Sequence, residues 1–283
     1  HSIGEWSAAA FAGVFTLDDA ARLVCARGRL MQACQDDGWM ASIQATEAEF
    51  QGFARDVDAA VDIAAFNEPS QVTISGDASA VQAVMEKVEA AGKKARRLQV
   101  SHAFHSAHMD PMLREFEALV AACSLNAPAI PMASNGSGKL ATDEELCSAS
   151  YWSQQVRNAV RFRQGVETLR DAGVNTFVEC GPGGVLCALS ANTIDDAASH
   201  FIPSLRKGTP ENETMMAALG RIFSSGHDVD WSAVYAESTA SRVQLPLYDF
   251  ERVSYWLEPS APLTGEASGH PLLGGLSAVA GTS

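Results

Sequence analysis

The chain has 283 residues, which is enough for one large domain or two smaller ones with a hydrophobic core. Hydrophobic residues make up 47% of it and charged residues 19%, as is typical of a globular protein. The net charge of −14 argues against a nucleic-acid or anionic-membrane partner. There is no run of eighteen apolar residues and no signal peptide, so we expect a cytoplasmic protein without a membrane span.

The first residues, His1 to Trp6, match the second half of a nucleophile elbow, G-x-S-x-G. In such an elbow the serine lies on a tight turn between a strand and a helix. Ser2 is then the candidate nucleophile, and residues 6–15 are predicted to form a buried helix behind it. A helix N-terminus at this point would stabilise negative charge. A lone S-x-G is common, however, and by itself does not identify a nucleophile.

Residues 17–35 are predicted to form the next helix, with Thr16 as its N-cap. This helix carries three arginines, Arg22, Arg27 and Arg29. Any one of them could turn inward to meet a carboxylate, and the pattern does not say which.

Residues 39–100 have the order of a ferredoxin-like unit, βαββαβ. The predicted elements are strand 39–45, helix 47–57, strands 61–67 and 71–75, helix 78–91 and strand 94–100. We therefore expect a compact subdomain inserted between the Ser2 segment and the rest of the chain.

Three histidines, His102, His105 and His108, follow at a spacing of three. This spacing raises the possibility of a metal site, but no cluster of acidic or cysteine ligands accompanies them. A single histidine acting as general base for Ser2 fits better, because imidazole titrates near neutrality. We expect no bound metal.

Later segments are predicted as a helix at 111–122, a short strand at 131–135 and a helix that begins near Tyr151. Residues 176–189 predict a strand, a G-P-G-G turn and a helix; that turn is expected to be structural rather than phosphate-binding, because it lacks a P-loop lysine. Extended chain at 203–206, a helix at 214–225, an irregular strap at 243–257 and a linker at 258–269 complete the pattern.

Six cysteines are scattered along the chain, and none forms a C-x-x-C pair. We therefore expect reduced, buried thiols rather than a zinc or redox centre.

Together, a set of motifs resembles malonyl-CoA:acyl carrier protein transacylases, most closely the acyltransferase domains of modular type I polyketide synthases. The motifs are HSIGE at 1–5, RGRLMQ at 27–32, FNEPSQ at 66–71, SHAFHS at 101–106, MDPM at 109–112, YWSQQVR at 151–157 and ECGPG at 179–183. The resemblance covers about residues 1–200. It implies an α/β fold, with an α/β-hydrolase-like large subdomain at 1–38 and 101–200 and the ferredoxin-like subdomain at 39–100.

Beyond residue 200, LPLYDFERVSYW at 245–256 resembles the linker that follows such domains, and HPLLG at 270–274 resembles the start of a dehydratase domain. The implied boundaries are a linker at 201–257 and a dehydratase-like start at 258–283. The family also has a G-Q-G segment upstream of the serine, which supplies half of the oxyanion hole. We therefore expect residues 1–283 to be an N-terminally truncated domain that is inactive alone, or that receives the missing segment from a separate piece of chain.

The resemblance implies roles for particular residues. Ser2 matches the nucleophile and His105 the general base, and Gln155 lies where the main-chain carbonyl that orients the histidine is expected. Arg27 matches the arginine that holds the free carboxylate of the extender unit. The N–H of Ile3 is expected to be half of the oxyanion hole.

Specificity for malonyl rather than methylmalonyl units is implied by the form of residues 102–105. Phe104, beside the histidine and close to His102, is expected to fill the space of a 2-methyl group. Ile3 also departs from the glutamine frequent in methylmalonyl domains. A methyl group contributes only about 1–3 kcal/mol of discrimination, so methylmalonyl stays an alternative.

The implied reaction moves a malonyl group from malonyl-CoA to the phosphopantetheine thiol of an acyl carrier protein, with no permanently bound cofactor. The implied partners are that carrier protein and the neighbouring ketosynthase and dehydratase domains. Two rivals remain open: a serine hydrolase that releases free acid, and a non-catalytic docking domain of a megasynthase.

Overall fold

The computed structural model describes residues 1–57, 59–237, 239, 241, 243–253, 255, 266–267 and 275–276. The chain divides into two compact units, His1–Asp230 and Trp231–Ser283, which are described separately. The first unit contains these helices: α1 Ile3–Phe11, α2 Leu17–Gln32, α3 Glu47–Ala54, α4 Ala78–Ala90, α5 Asp110–Ala121, α6 Asp143–Leu146, α7 Ala149–Arg157, α8 Phe162–Asp171, α9 Val185–Thr193 and α10 Glu211–Ser224. Its strands are β1 Gly38–Ile43, β2 Val61–Glu68, β3 Gln71–Asp77, β4 Ala95–Arg97, β5 Thr176–Glu179 and β6 His200–Pro203.

The predicted ferredoxin-like subdomain is confirmed. Its four strands form one antiparallel sheet in the order β2-β3-β1-β4, with α3 and α4 between them along the chain. Alternate residues of β1 and β3, among them Ile43 and Ile74, join Val81 and Val84 of α4 in a buried core. This core covers one face of the sheet, and the residues between them occupy the other face.

A second core holds the elbow helix in place. Trp6 of α1 is fully buried, and its ring lies 4.6 Å from that of Trp152 and 5.3 Å from that of Phe15, measured between centroids. Alanines 9 and 12 of the same segment are also buried, which lets neighbouring helices approach closely. The predicted buried, small-residue helix is therefore present, although it ends at Phe11.

Two predictions about local structure were wrong. Residues 131–135 form no strand and contribute only an isolated bridge between Ala133 and Leu140, because the chain turns back on itself at once. Ser134 N donates a hydrogen bond to Lys139 O at 2.8 Å, and Gly138 within the turn has a φ of 70°.

The expectation that the thiols are buried is the second wrong prediction. All six cysteines are free, but Cys25, Cys147 and Cys180 are exposed and only Cys187 is buried.

The G-P-G-G turn joins β5 to α9 as predicted, and β5 pairs in parallel with β6. The turn is held by the Glu179 carboxylate, which accepts a hydrogen bond from Cys187 N at 2.8 Å. The Cys187 N–H, which could otherwise bind an anion, is therefore already occupied by a carboxylate.

The second unit contains α11 Trp231–Val234, irregular chain at 243–253, and a pair of antiparallel strands, β7 Glu266–Ala267 and β8 Gly275–Leu276. Most of the predicted linker at 258–269, and the HPLLG segment at 270–274, lie outside the described residues. Within the part of the chain that is described, no helix is both long enough and apolar enough to cross a membrane.

Gly38 begins β1 where the two subdomains meet, and this contact is testable. A Cβ at Gly38 would lie 2.5 Å from Ala103 Cβ and 3.0 Å from His108 Cε1. We expect Gly38→Ala to lower the free energy of unfolding by about 1–3 kcal/mol, because neither neighbour can move freely. Urea unfolding measures the change.

Gly52→Ala is the matched control, because a Cβ there meets nothing within 4 Å and the residue lies inside helix α3. That variant should be more stable by up to about 1 kcal/mol. Equal stability of the two variants would contradict the close packing at Gly38.

Candidate active site

Ser2 caps helix α1 in a strained conformation, with a φ of 51° and a ψ of −117°. Among the described residues, only Ser2 and His105, whose φ is 58°, are non-glycine residues with positive φ. Such conformations persist where the surrounding structure enforces them, and they cluster at functional sites. Ser2 therefore combines a strained backbone with a following helix, two features of the predicted elbow, and a second strained residue lies beside it.

The structure brings Ser2 and His105 together. The distance from Ser2 Oγ to His105 Nε2 is 2.8 Å, although the residues are 103 positions apart. On the other side of the ring, His105 Nδ1 lies 2.8 Å from the main-chain oxygen of Asn158. Because a carbonyl can only accept, Nδ1 carries the proton, and Nε2 is left as the acceptor for the serine hydroxyl.

The prediction for Gln155 was wrong, since the carbonyl that orients His105 belongs to Asn158. Asn158 follows the end of α7 with extended backbone, so its carbonyl turns away from the helix axis toward the ring. Gln155 instead acts through its side chain. Its Nε2 donates to Ser2 O at 2.8 Å, and its Oε1 accepts from Trp6 Nε1 at 3.0 Å.

Asn135 holds the other side of the serine backbone. Its Oδ1 accepts a hydrogen bond from Ser2 N at 2.7 Å, and its own N–H donates to Glu5 Oε1 at 2.9 Å. Tyr151 Oη donates to the same Glu5 oxygen at 2.5 Å. Glu5 is buried, and burial raises the pKa of its carboxyl group. Sequence reasoning missed these residues; the one available signal was a glutamate placed among the apolar residues of α1.

Arg27 is the arginine that turns inward. It is 7% exposed, its Nε has no hydrogen-bond partner, and among the described residues its guanidinium forms no ion pair. Burial lowers its pKa to about 10, so it stays charged at neutral pH. The other two arginines of α2 face solvent: Arg22 pairs with Asp19, and Arg29 lies 3.6 Å from Glu115.

The pKa of His105 is lowered to about 4, first by burial and then by the charge of Arg27, while the Asn158 carbonyl acts in the opposite direction. The imidazole is therefore neutral at pH 7 and able to accept a proton.

The three histidines do not converge as ligands of one metal. His102 is buried with its Nδ1 2.8 Å from Ser101 Oγ, and its Nε2 has no partner. His108 Nε2 lies 2.7 Å from Asp77 Oδ1. Phe104 is half-buried, with its ring centroid 5.9 Å from that of His102, and it packs against the core around Trp6.

Ile3 is the first residue of α1, directly after Ser2. The N–H groups of a first helical turn have no acceptor within their own helix. The Ile3 N–H therefore lies at this helix N-terminus, directly after Ser2 in the chain.

Comparison with known proteins shows which proteins this chain is similar to. A family model described as "Acyl transferase domain" matches residues 1–229. The chain is 45% identical to polyketide synthase GfsA of Streptomyces halstedii over 99% of its own length, and 44% identical to mycoketide-CoA synthase of Mycobacterium tuberculosis over 97%. It spans 4% and 7% of the length of those two proteins.

Solved structures of acyltransferases are also similar to this chain. The acyltransferase domain from the second module of the salinomycin polyketide synthase matches with a TM-score of 0.81 and 44% identity, over 87% of this chain and 58% of that one. FabD from Acinetobacter baumannii matches with a TM-score of 0.72 and 30% identity, over 80% of this chain and 72% of that one. Both matches support the predicted α/β fold with its ferredoxin-like insertion.

The low pKa of His105 gives a prediction for pH dependence. We expect the rate at which an uncharged organophosphorus fluoride labels Ser2 to stay near its maximum down to about pH 5, because His105 loses its basic form only near pH 4. The unfolded chain, in contrast, takes up this proton near pH 6.5. The contribution of His105 therefore lowers the stability as the pH falls from about 6.5 to about 4.

Arg27→Leu should move the midpoint of this labelling profile upward, part of the way to 6.5, because the neighbouring charge is removed while the burial remains. Arg29→Leu, which removes an exposed charge from the same helix, should leave the midpoint unchanged. A wild-type midpoint near 6.5 would contradict the burial of the ring.

The role of Gln155 gives a second prediction. Gln155→Leu and Gln155→Glu should both slow labelling of Ser2 by tenfold or more, because neither side chain can donate to the Ser2 carbonyl. The Gln155→Glu side chain can still accept a hydrogen bond from Trp6 Nε1 but cannot donate one to Ser2 O. A slow rate in this variant is therefore due to the lost contact with Ser2 and not to disturbed packing around Trp6. Gln154→Leu, at the neighbouring exposed position, should label at the wild-type rate; if Gln155→Glu does so too, the contact has no role in positioning Ser2.

Proposed function

Because this chain belongs to the acyl transferase domain family, we propose that it loads a malonyl extender unit from malonyl-CoA onto the phosphopantetheine thiol of an acyl carrier protein in polyketide biosynthesis. The observation that carries the proposal is the 2.8 Å contact between Ser2 Oγ and His105 Nε2, with Nδ1 held by Asn158. This arrangement suits a two-step acyl transfer through an acyl-serine intermediate.

In the first step, His105 Nε2 takes the proton of the Ser2 hydroxyl as Oγ attacks the thioester carbonyl. The negative oxygen of the tetrahedral intermediate is stabilised by the Ile3 N–H at the helix N-terminus. The intermediate collapses with cleavage of the C–S bond, and His105 returns the proton to the CoA sulfur. In the second step the carrier thiol gives its proton to His105 and attacks the acyl-serine, and the serine oxygen leaves and is reprotonated.

Arg27 is proposed to select substrates that bear a free carboxylate. Its buried guanidinium lacks an anion within the described part of the protein, and a planar fork of donors fits a carboxylate in a bidentate manner. A malonyl or methylmalonyl group supplies that anion, whereas an acetyl group does not.

Selection of malonyl over methylmalonyl is proposed to involve Phe104 and His102. Their ring centroids are 5.9 Å apart, and Phe104 directly precedes His105 in the chain. A 2-methyl group would need space next to them. Because one methyl group contributes only about 1–3 kcal/mol, the selection is expected to be a strong preference rather than exclusion.

Hydrolysis of the acyl-serine to free acid is the second candidate function. A hydrolase of this kind would be expected to use a carboxylate to orient its histidine, whereas His105 is oriented by the Asn158 carbonyl. That difference favours transfer. A purely docking role is disfavoured by the strained Ser2 beside His105 and by the unpaired, buried Arg27.

We also propose the setting in which the chain works: a cytoplasmic synthase in which a ketosynthase, a dehydratase and the carrier protein are its partners. Residues 1–38 and 101–200 would be the large subdomain, 39–100 the small one, 201–257 the following linker and 258–283 the start of a dehydratase-like region. The relatives in which similar sequence occurs are much longer, which supports this setting. Residues 1–283 alone are proposed to be inactive.

Mass spectrometry tests the function. The chain of 283 residues and the same residues within their longer synthase are each exposed to equal amounts of malonyl-CoA, methylmalonyl-CoA and acetyl-CoA, and then to carrier protein. In the synthase we expect a malonyl adduct on Ser2 that passes to the carrier. Ser2→Ala should abolish it, and Arg27→Ala should reduce malonyl loading at least tenfold while acetyl loading rises relative to it.

Arg29→Ala is the charge-matched control and should load malonyl normally. Failure of both polypeptides to acylate would overturn the proposed function, and release of free malonate in place of transfer would favour the hydrolase. Full loading of the 283-residue chain would overturn only its proposed inactivity.

A further inference from the structure

Four cations lie within five residues at 93–97, in a chain that has 20 basic residues against 34 acidic ones. Two of them already have partners. Lys93 Nζ lies 2.5 Å from Glu49 Oε1, and the guanidinium of Arg97 lies 3.5 Å from the centre of the Trp39 ring. Lys94 and Arg96 are exposed, and within the described ranges neither side chain has an ion pair or a hydrogen bond.

Lys94 and Arg96 share the face of the ferredoxin-like sheet that lies opposite α3 and α4. Ala95, between them, packs against the core under α4, so its neighbours along the strand occupy the opposite face. There they line a groove of about 420 Å³, within the size range of ligand sites. The remaining lining consists of one carboxylate, one alanine and four neutral polar side chains: Glu68, Ala95, Ser42, Gln44, Ser70 and Gln71. Glu68 accepts a hydrogen bond from Asn192 Nδ2 at 2.8 Å.

A row of polar residues leads from this groove to His1, the residue before Ser2. Arg96 pairs across the sheet with Ser42, which in turn pairs with Thr73. Thr73 Oγ1 accepts from Asn67 Nδ2 at 3.1 Å, and Asn67 Oδ1 lies 2.8 Å from Nε2 of His1, the neighbour of Ser2. Two strand spacings place the backbone of Arg96 about 10 Å from that of Thr73.

We propose that this groove, defined by Lys94 and Arg96, binds a phosphate group of the phosphopantetheine-bearing thioester. The inference rests on the proposed function, since that substrate supplies both a thioester for Ser2 and a phosphate at the far end of a polar arm. Arg96 offers a bidentate fork and Lys94 a point charge, the two forms of cation that bind phosphate. Ser42, Gln44 and Gln71 offer hydrogen bonds to the amide groups of the arm. The phosphate can belong to CoA or to a carrier protein.

Isothermal titration tests the site with four ligands: CoA, 4′-phosphopantetheine, pantetheine and the phosphopantetheinylated carrier. For the double variant Lys94→Ala/Arg96→Ala, we expect the Kd of phosphate-bearing ligands to rise at least tenfold and that of pantetheine to stay unchanged. Lys93→Ala/Arg97→Ala removes the same charge from the same segment and should change no Kd by more than about twofold. Lys93→Ala alone serves if the loss of the Trp39 contact unfolds the double control.

An effect on CoA alone, on the carrier alone or on both supports the site and identifies the source of the phosphate. No effect on any phosphate-bearing ligand overturns it.

Acylation of Ser2 by a malonyl thioester of N-acetylcysteamine, which carries no phosphate, is measured in parallel on the synthase. If that donor acylates Ser2 but the titrations show no effect, phosphate binding in the groove is refuted and the proposed function stands. If that donor fails in the wild type, the function fails independently of the groove.

Discussion

The hydrogen bond between Ser2 and His105 is the interaction on which the rest of the site depends. It joins two segments that are distant along the chain, and each end is held in a conformation that the backbone does not prefer. The supporting contacts come from all sides. Asn135 and Gln155 bind the N–H and the carbonyl of Ser2, and Asn158 fixes the histidine ring. These three residues therefore help to keep Ser2 Oγ and His105 Nε2 in contact.

Burial affects the charge of two side chains in this site, His105 and Arg27, in different ways. The imidazole is kept neutral by burial and by the nearby guanidinium, so it remains a base at neutral pH. That guanidinium in turn is buried without an anion among the described residues, an arrangement that costs stability unless a ligand supplies the charge. Arg27 thus lowers the proton affinity of the base and, under the proposed function, raises the affinity for an acidic acyl group.

Sequence patterns predicted most of the framework, because alternating and helical periodicities are local. The βαββαβ order, the elbow helix and the candidates Ser2, His105 and Arg27 were accessible in this way, the last two with the help of motif resemblance. The carbonyl of Asn158 was not, because a main-chain group is independent of residue type and its direction depends on where α7 ends. The Asn135 and Glu5 contacts join positions 130 apart, which no local pattern encodes. The strand expected at 131–135 failed because a turn at 134–138 competes for the same residues.

The strained backbones of Ser2 and His105 also bear on how this protein should be engineered. A residue held in such a conformation costs about 1–3 kcal/mol of folding free energy, and glycine would relieve much of that cost at either position. A laboratory selection for heat resistance alone would consequently favour replacement of Ser2 or His105. Libraries built on this scaffold need a chemical readout alongside the thermal one, or their best survivors will be inert.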